Sequence, residues 1–444
     1  MTSPAHAGLF LCPNVDSAFG DGRIDMEREK DDHAAIGKRL ELFFNDSTVG
    51  AGLPLLTPRG TIIKRVLTRF IEDEEMKRGY LPTDTPVLAR SELFKISGHW
   101  DLYRDGMFVL ESETDEKLAL RPMTCPFQFM IYKQRVRSYR ELPLRYSETA
   151  TLFRNEMSGA LHGLLRLRQF TLSDGHIICT EDQIEPEFLA AFELVRYVFD
   201  TLGLDGYWFQ FSRRGANGKY IDDPAAWEAS EAALARILDT AGIEYVEADD
   251  EAAFYGPKLD VQMRNVWGKE DTIFTLQLDF ALARRFEMTY VGEDGGTEYP
   301  FVVHRSSIGC YERTIAMLLE QYDGKLPFWI APEQVRVISV GDSSTEYADA
   351  IAKALRLRGI RAETDVRTET IGRKIRDARL MCIPVVVIVG DAERAAGTVA
   401  VRTADGDQVP GVPRDGFLEA CEKLDRSRAQ HTRAEFFHPA AGRV

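Results

Sequence analysis

Cysteine is sparse in this chain. The six cysteines (Cys12, Cys125, Cys179, Cys310, Cys382 and Cys421) are scattered through 444 residues with no C-x-x-C pair. That spacing excludes a dense disulfide framework and argues for a reducing cytoplasm. No stretch approaches ~18 uninterrupted apolar residues, so no membrane-spanning helix is expected. The N-terminus lacks a Lys/Arg-led apolar run, because Gly8-Leu9-Phe10-Leu11-Cys12 is short and Pro13 follows it. Internal repeats and low-complexity tracts are absent as well. There is no G-x-x-x-x-G-K-[ST] loop and no G-x-G-x-x-G opening a helix, which removes the main support for P-loop and Rossmann readings. Positive charge is in deficit: 55 Lys+Arg stand against 70 Asp+Glu, a net −15. Indiscriminate nucleic-acid binding is therefore disfavoured, although a local basic surface is not.

What is present describes a globular protein. The chain is 44% apolar and 28% charged, with mean hydropathy −0.24, enough apolar material for more than one core. Residues 1–28 carry no period and read as a flexible arm. Ile36, Leu40, Phe43 and Phe44 recur at helical spacing, and a strong amphipathic helix follows from Thr61 to Arg78, stopped by Gly79. Tyr80 to Leu88 reads as extended, since Pro82 and Pro86 bar a helix interior. Further helices are expected over Glu181–Leu202, Pro224–Ala241 and Ser307–Gln321, and strands over Tyr207–Phe211, Leu259–Met263, Thr272–Phe280 and Tyr299–His304. Strands broken by insertions indicate one large α+β domain, over 29–328, with a mixed or antiparallel sheet. Phe328 to Glu333 reads as a linker. Beyond it, strands and helices alternate from Val335 to Arg426, which indicates a separate α/β domain over 329–434, with 435–444 a loose tail.

The local charge departs from the mean. From Arg121 to Phe170 nine basic residues face three acidic ones, about +6 within an acidic protein, and a one-sign arginine stripe is a candidate anion site. Within it, Arg145-Tyr-Ser-Glu-Thr-Ala-Thr-Leu-Phe-Arg-Asn-Glu156 reads as a strand running into a Gly-containing loop, followed by a second strand to His176. Arginines at such a turn can fork around a triphosphate, because guanidinium pairs with phosphate oxygens in two-pronged fashion. Glu156 can accept from an adenine amino group and Phe170 can stack on the base. An exposed hairpin with solvated charges satisfies the same spacing.

Ordered phrases across positions 30–410 carry a resemblance. They include Ile36-Gly-Lys-Arg-Leu-Glu-Leu, Ser97-Gly-His-Trp-Asp, Arg121-Pro-Met-Thr-Cys-Pro126, Phe153-Arg-Asn-Glu and Leu161-His-Gly-Leu. Ala253-Phe-Tyr-Gly-Pro-Lys258, Leu276-Gln-Leu-Asp-Phe280, Tyr290-Val-Gly-Glu293, His304-Arg305, Gly309-Cys-Tyr-Glu-Arg313, Ile371-Gly-Arg-Lys-Ile-Arg and Val399-Ala-Val-Arg-Thr continue them. Together they resemble threonyl-tRNA synthetases, class II aminoacyl-tRNA ligases. The resemblance implies an antiparallel class II catalytic domain followed by an anticodon-binding domain. It also implies a homodimer built on the helix and strand from Thr61 to Leu88, with ATP, L-threonine and tRNA(Thr) as partners. Arg154 matches the arginine that holds the α-phosphate and the amino-acid carboxylate, and Arg313 the one that contacts the far phosphates. Two cations on opposite sides stabilise the pentavalent phosphorus formed as a carboxylate attacks ATP. Glu156, Arg166, Phe170 and Gln277 fall at ATP positions, with Mg²⁺ helping to hold the phosphates. Cys125, His176 and His304 match three zinc ligands, a set whose wide separations would say little alone. One thiolate and two imidazoles leave tetrahedral Zn²⁺ an open position, which threonine fills in this family and valine, lacking a hydroxyl, does not. Asp174, Tyr255 and Lys258 match the amino-acid pocket, and His99 a histidine implicated in the transfer step.

Departures from the family also shape the expectations. The chain starts where the catalytic domain starts, so a short form without the N-terminal editing region is expected. Serine differs from threonine by one methyl, worth ~1–3 kcal/mol of discrimination. Seryl-tRNA should then accumulate in purified assays with tRNA(Thr), and a separate trans-editing protein would clear it. Leu172 and Phe127-Gln128 replace residues usual in bacterial members, as in a divergent archaeal-type subgroup. From Arg336 to Arg402 twelve basic residues oppose nine acidic ones, and Arg361, Arg367, Lys374 and Arg376 are the candidate tRNA contacts. The expected activity is threonine–tRNA ligation. The rivals are a non-catalytic tRNA- or amino-acid-binding paralogue and an adenylating enzyme that charges another acceptor.

Overall fold

Period-two alternation of apolar residues builds the main sheet. The computed structural model describes residues 31–111, 116–216 and 219–438, so the arm expected over 1–28 lies outside the described residues. In chain order the strands are β1 (Leu81–Pro82), β2 (Leu144–Phe153), β3 (Gln169–Cys179), β4 (Trp208–Arg213), β5 (Val246–Asp249), β6 (Lys258–Arg264), β7 (Glu270–Asp279) and β8 (Phe301–Cys310). They lie in the order β5-β4-β6-β7-β8-β3-β2-β1. The two outermost pairings, β4/β5 and β1/β2, are parallel and the rest antiparallel. Ile177, Leu259, Val261, Leu276, Leu278 and Val303 point from one face into a core formed with helices α1 (Pro58–Lys77), α2 (Ile184–Leu202) and α3 (Tyr311–Gln321). Each alternate residue therefore faces the other way, and that second face carries the candidate site.

Local signals explain the helices. Thr57 caps α1 by accepting from the Gly60 amide, and Pro58 occupies its first turn, where a missing N–H costs nothing. Gly79, at φ 79°, turns the chain out of it. The helix expected over Ser307–Gln321 is corrected: Ser307 to Cys310 continue β8, and α3 begins only at Tyr311. Gly309 causes the difference. It adopts φ 73°, beside a shift in the β8/β3 register between Ser306 and Cys310, so the strand kinks before the helix starts.

A second sheet contains β9 (Val335–Ser339), β10 (Ala362–Asp365), β11 (Val385–Val389), β12 (Thr398–Thr403) and β13 (Gln408–Pro413), in the order β10-β9-β11-β12-β13. Helices α4 (Thr345–Leu357), α5 (Ile371–Leu380) and α6 (Arg414–Ser427) pack on it. β13 lies outside the strands expected from the sequence, and it holds Pro410, Gly411 and Pro413. As an edge strand it tolerates them. The Phe328–Glu333 linker is buried: Phe328 joins the second core, and Trp329 and Ile330 join the first. The tail expected to be loose from 435 starts inside the fold, with Phe437 1% exposed against Phe417. Arg428 fastens the seam by pairing with Glu74 of α1 and lying 4.4 Å over the Phe70 ring. Against the cost of partial burial, Lys77, Arg78 and Arg428 hold the Glu74 carboxyl down at about 2. No helix of the described residues is long and apolar enough to cross a membrane.

A Cβ at Gly309 would lie 2.0 Å from the Ile273 carbonyl oxygen, at a φ that side chains avoid. Gly309→Ala is expected to destabilise the fold by more than about 1 kcal/mol. Urea denaturation checks this through a lowered midpoint with unchanged slope.

Candidate active site

Strand register assembles the site. His304 on β8 stands opposite His176 on β3 and Gln277 on β7, Gln277 stands opposite Lys258 on β6, and Asp174 stands opposite Ser306. Directly opposed residues share a face, so His176 and His304, far apart in the chain, meet without any loop having to fold over them. Cys125 opens the short helix Cys125–Tyr132, and its Sγ lies with a ring nitrogen of His176 and of His304 within 4.8 Å of one another, all three residues buried. Among the described residues this is the one such cluster of metal-ligating side chains.

Each imidazole has its outer nitrogen occupied. Nδ1 of His176 lies 2.6 Å from the Gln128 Oε1, and Nε2 of His304 lies 2.9 Å from the Asp279 Oδ2. Asp279 is itself fixed by amides of Ala281 and Leu282 on its other oxygen. The inner nitrogens therefore face the Cys125 thiol. Burial pushes that thiol well up and the His176 imidazole well down, which favours the neutral forms unless a cation compensates. One sulfur and two nitrogens with hydrogen-bonded outer partners form a donor set suited to a tetrahedral, borderline-soft cation.

Around this cluster the expected pocket residues gather. Tyr255 stacks on the His304 ring at 4.8 Å and donates to the Gln277 side-chain oxygen, while Gln277 donates to Thr275. Asp174 accepts from the Thr124 amide at 3.2 Å, and burial raises its pKa. Lys258 shares the face but is held by Asp260 at 2.7 Å.

The phosphate side behaves differently from the sequence reading. Most of the arginine stripe is neutralised: Arg121 pairs with Glu148, Arg145 with Glu187, and Arg135 and Arg137 with Glu141. The +6 is thus not an open anion surface. Arg154 remains solvent-accessible in the cleft, stacked 5.1 Å over Phe170. The surrounding protein and then the charge of Arg313 lower its pKa. Arg313 donates Nε to the Leu165 carbonyl and Nη1 to the Thr272 carbonyl. Glu156 and Arg166 are brought together as an ion pair at 3.0 Å. Lys64 on α1 bridges Thr171 and Glu312.

Two of the four candidate tRNA residues are tied into the fold. Lys374 is 3% exposed and donates to the Ser339 and Asp365 carbonyls, and Arg361 donates to the Trp329 and Ala331 carbonyls at the linker. Lys374 is buried against those carbonyls, which completes loop hydrogen bonding and turns it away from RNA, while Arg361 is half-buried with its guanidinium tied to the linker. Arg367 is paired with Asp365 and Asp377. Arg376 is exposed, in an open groove of about 450 Å³ shared with Ile375, Leu380, Arg379 and Arg402.

Comparison with known proteins shows what the chain is similar to. Residues 108–322 match the model of the tRNA synthetase class II core domain (G, H, P, S and T), and residues 334–424 that of an anticodon binding domain. The chain is 53% identical over 398 residues to a threonine–tRNA ligase of Clostridium botulinum, covering 88% of this chain and 62% of that protein. It is 46% identical over 404 residues to one of Anoxybacillus flavithermus, covering 90% and 63%. The crystal structure of the RNA binding domain of threonyl-tRNA synthetase from Cryptosporidium parvum superposes with a TM-score of 0.84 at 32% identity, covering 89% of this chain and 98% of that one. The chain belongs to the threonyl-tRNA synthetase family. It spans about 62% of the length of the curated relatives it matches. A Giardia lamblia prolyl-tRNA synthetase, at TM-score 0.69 and 20% identity, shares the fold.

Several contributors went unassigned at the sequence level. Asp279 sits inside one of the family phrases, yet its role as partner of His304 emerges only from the β7/β8 register. Arg379 and Arg402, from α5 and β12, line one groove only in the folded chain. Ser97 holds His99, whose Nδ1 lies 2.8 Å from the Ser97 Oγ, within a ring cluster that includes Tyr103 and Phe254.

Burial, then the charges of His304, Arg154 and Arg285, hold the His99 imidazole down at about 3. Its ring resonance should therefore stay flat in an NMR titration from pH 8 to pH 5. The unfolded chain protonates near the ordinary histidine value, so this group costs stability as pH falls below that value toward 3.

Proposed function

We propose that this chain activates L-threonine with ATP to threonyl-adenylate and transfers the threonyl group to the 3′-terminal ribose of tRNA(Thr). The observation that carries the reading is the buried Cys125/His176/His304 cluster lying on the same sheet face as the pocket of Asp174, Tyr255 and Gln277. These residues fit Zn²⁺, held by Cys125, His176 and His304. Bound there, it supplies a Lewis-acidic position that distinguishes an amino acid with a hydroxyl from one without.

The chain's own residues do the remaining work. Asp174, fixed by the Thr124 amide, is placed to accept from the threonine hydroxyl. Arg154 binds the carboxylate and α-phosphate as they approach each other, and Arg313, with two nitrogens tied to carbonyls, presents the third to the outer phosphates. Glu156 and Arg166 flank the adenine, Phe170 supports Arg154 from below, and Mg²⁺ accompanies the nucleotide. His99, neutral at working pH, has a ring nitrogen available at the terminal ribose. A homodimer is supported by the short outermost strand β1, where Leu81 is 48% exposed, next to Met76 at 54% and Val87 at 40%. With Lys374 buried and the Arg361 guanidinium tied to the linker, RNA contact falls to Arg376, Arg379 and Arg402. The Arg402 Nε is buried with no hydrogen-bond partner, and none of the three has an ion-pair partner among the described residues. The absence of a spanning helix among the described residues and the free cysteines agree with a cytoplasmic location.

ATP–pyrophosphate exchange tests the activation step: exchange with threonine and none with valine is expected, and Arg154→Ala should lower it by roughly 10²–10³. Absence of exchange with every amino acid would contradict the proposal. Arg379→Ala and Arg402→Ala should each weaken tRNA binding and reduce its salt slope by about 1 without altering exchange, checked by filter binding across salt.

A further inference from the structure

Gln128 is fully buried one helical turn after Cys125, and both ends of its amide are engaged. Its Nε2 lies 2.8 Å from the Thr83 Oγ1, and its Oε1 lies 2.6 Å from the His176 Nδ1. The direction of this chain follows from counting protons. Thr83 has one hydroxyl proton, and two groups that only accept surround it: the Ser147 carbonyl at 3.2 Å and Glu148 Oε2 at 3.3 Å. Burial raises the Glu148 pKa, while Arg121 at 2.8 Å and the Thr85 hydroxyl, both donating to it, favour the carboxylate, which only accepts. With its proton directed there, Thr83 accepts from the Gln128 NH₂. The Gln128 carbonyl oxygen is then the end that meets His176, whose Nδ1 must carry the proton. His176 Nε2 is left with its lone pair, on the side of Asp174 Oδ1 at 3.9 Å and of the Cys125/His304 donors.

We propose that Gln128 is a positioning residue that fixes the His176 tautomer and ring orientation, so that Nε2 is presented to the Zn²⁺ of the preceding reading, on which this inference rests. The relay Glu148–Thr83–Gln128–His176 anchors the cluster to the chain just after the outermost strand β1, so the imidazole is held by the sheet edge and not by the cluster itself. An outer partner of this kind raises ligand basicity and removes the cost of orienting the ring on binding.

The test uses the purified full chain, with wild type, Gln128→Leu and Gln128→Glu compared. Zn²⁺ affinity is read by competition with a chromophoric chelator, and the His176 tautomer by ¹⁵N NMR of the zinc-free, histidine-labelled protein. Leucine fills the space but accepts nothing, whereas glutamate restores the acceptor. Expected are a 10–100-fold weaker Zn²⁺ affinity in Gln128→Leu, recovery to within a few-fold in Gln128→Glu, and a protonated Nδ1 in the wild type that is lost as the dominant form in Gln128→Leu. Thermal unfolding of the zinc-free variants separates a misfolded protein from a misoriented ligand; if Gln128→Leu does not fold, Gln128→Glu and the wild-type tautomer decide. Wild-type protein that binds Zn²⁺ with Gln128→Leu binding equally tightly, or an Nε2-protonated wild type, would overturn the role of Gln128 alone. Wild-type protein that takes up no Zn²⁺ would overturn the metal reading and this role with it.

Discussion

Everything at the site depends on the antiparallel register of β3, β7 and β8. With His176, His304 and Gln277 directly opposite one another, a strict two-residue alternation sends them to one face and Ile177, Val303 and Leu276 to the other. A slip of one residue in any of the three strands would bury the imidazoles in the helix-packed core and expose the aliphatic residues. The large hydrophobic face therefore enforces the geometry of the chemical one. Burial of each aliphatic side chain contributes roughly 1.5–3 kcal/mol, far more than any single polar contact on the opposite face. The arrangement is over-determined by packing that never touches a substrate.

The opposite face shows the same logic applied to charge. Arg305, between His304 and Ser306, points away from the pocket, stacks over Tyr80 and pairs with Glu75 of α1. It pins α1 to the sheet beneath the site. In the site itself, cations left without carboxylate partners are few: Arg154 and Arg313 hold that position while their neighbours along the chain are neutralised. An unpaired guanidinium in a cleft carries a desolvation cost that binding an anion relieves. This is why charge counting along the sequence overstated the basic surface.

Much of the fold was legible because its signals are local. Gly79 stops α1, whose Thr57-Pro58 start lies ahead of the expected Thr61, apolar spacing marks α2, and the βα alternation after Phe328 marks the second sheet. The misses share a cause, which is that tertiary context overrode a local pattern. Ser307 to Gly309 read as helix because Ile308 and Tyr311 suit either structure, and only the Gly309 kink against Ile273 decides. Lys374 reads as an RNA contact, yet it is buried, because charge alone cannot say which way a side chain points. The candidate site residues were named from family phrases, whereas Gln128 and Asp279, which meet the imidazoles, become meaningful only once strand pairing and the short helix after Cys125 are known.

The central claim is that Cys125, His176 and His304 converge as one metal-binding centre on the amino-acid side of the sheet. X-ray absorption at the zinc edge of the purified full chain tests it most directly. The account predicts one zinc per chain with a single sulfur and two imidazole nitrogens in its inner sphere, and loss of the sulfur contribution in Cys125→Ser. A chain that carries no zinc, or zinc whose inner sphere holds no sulfur, would contradict it.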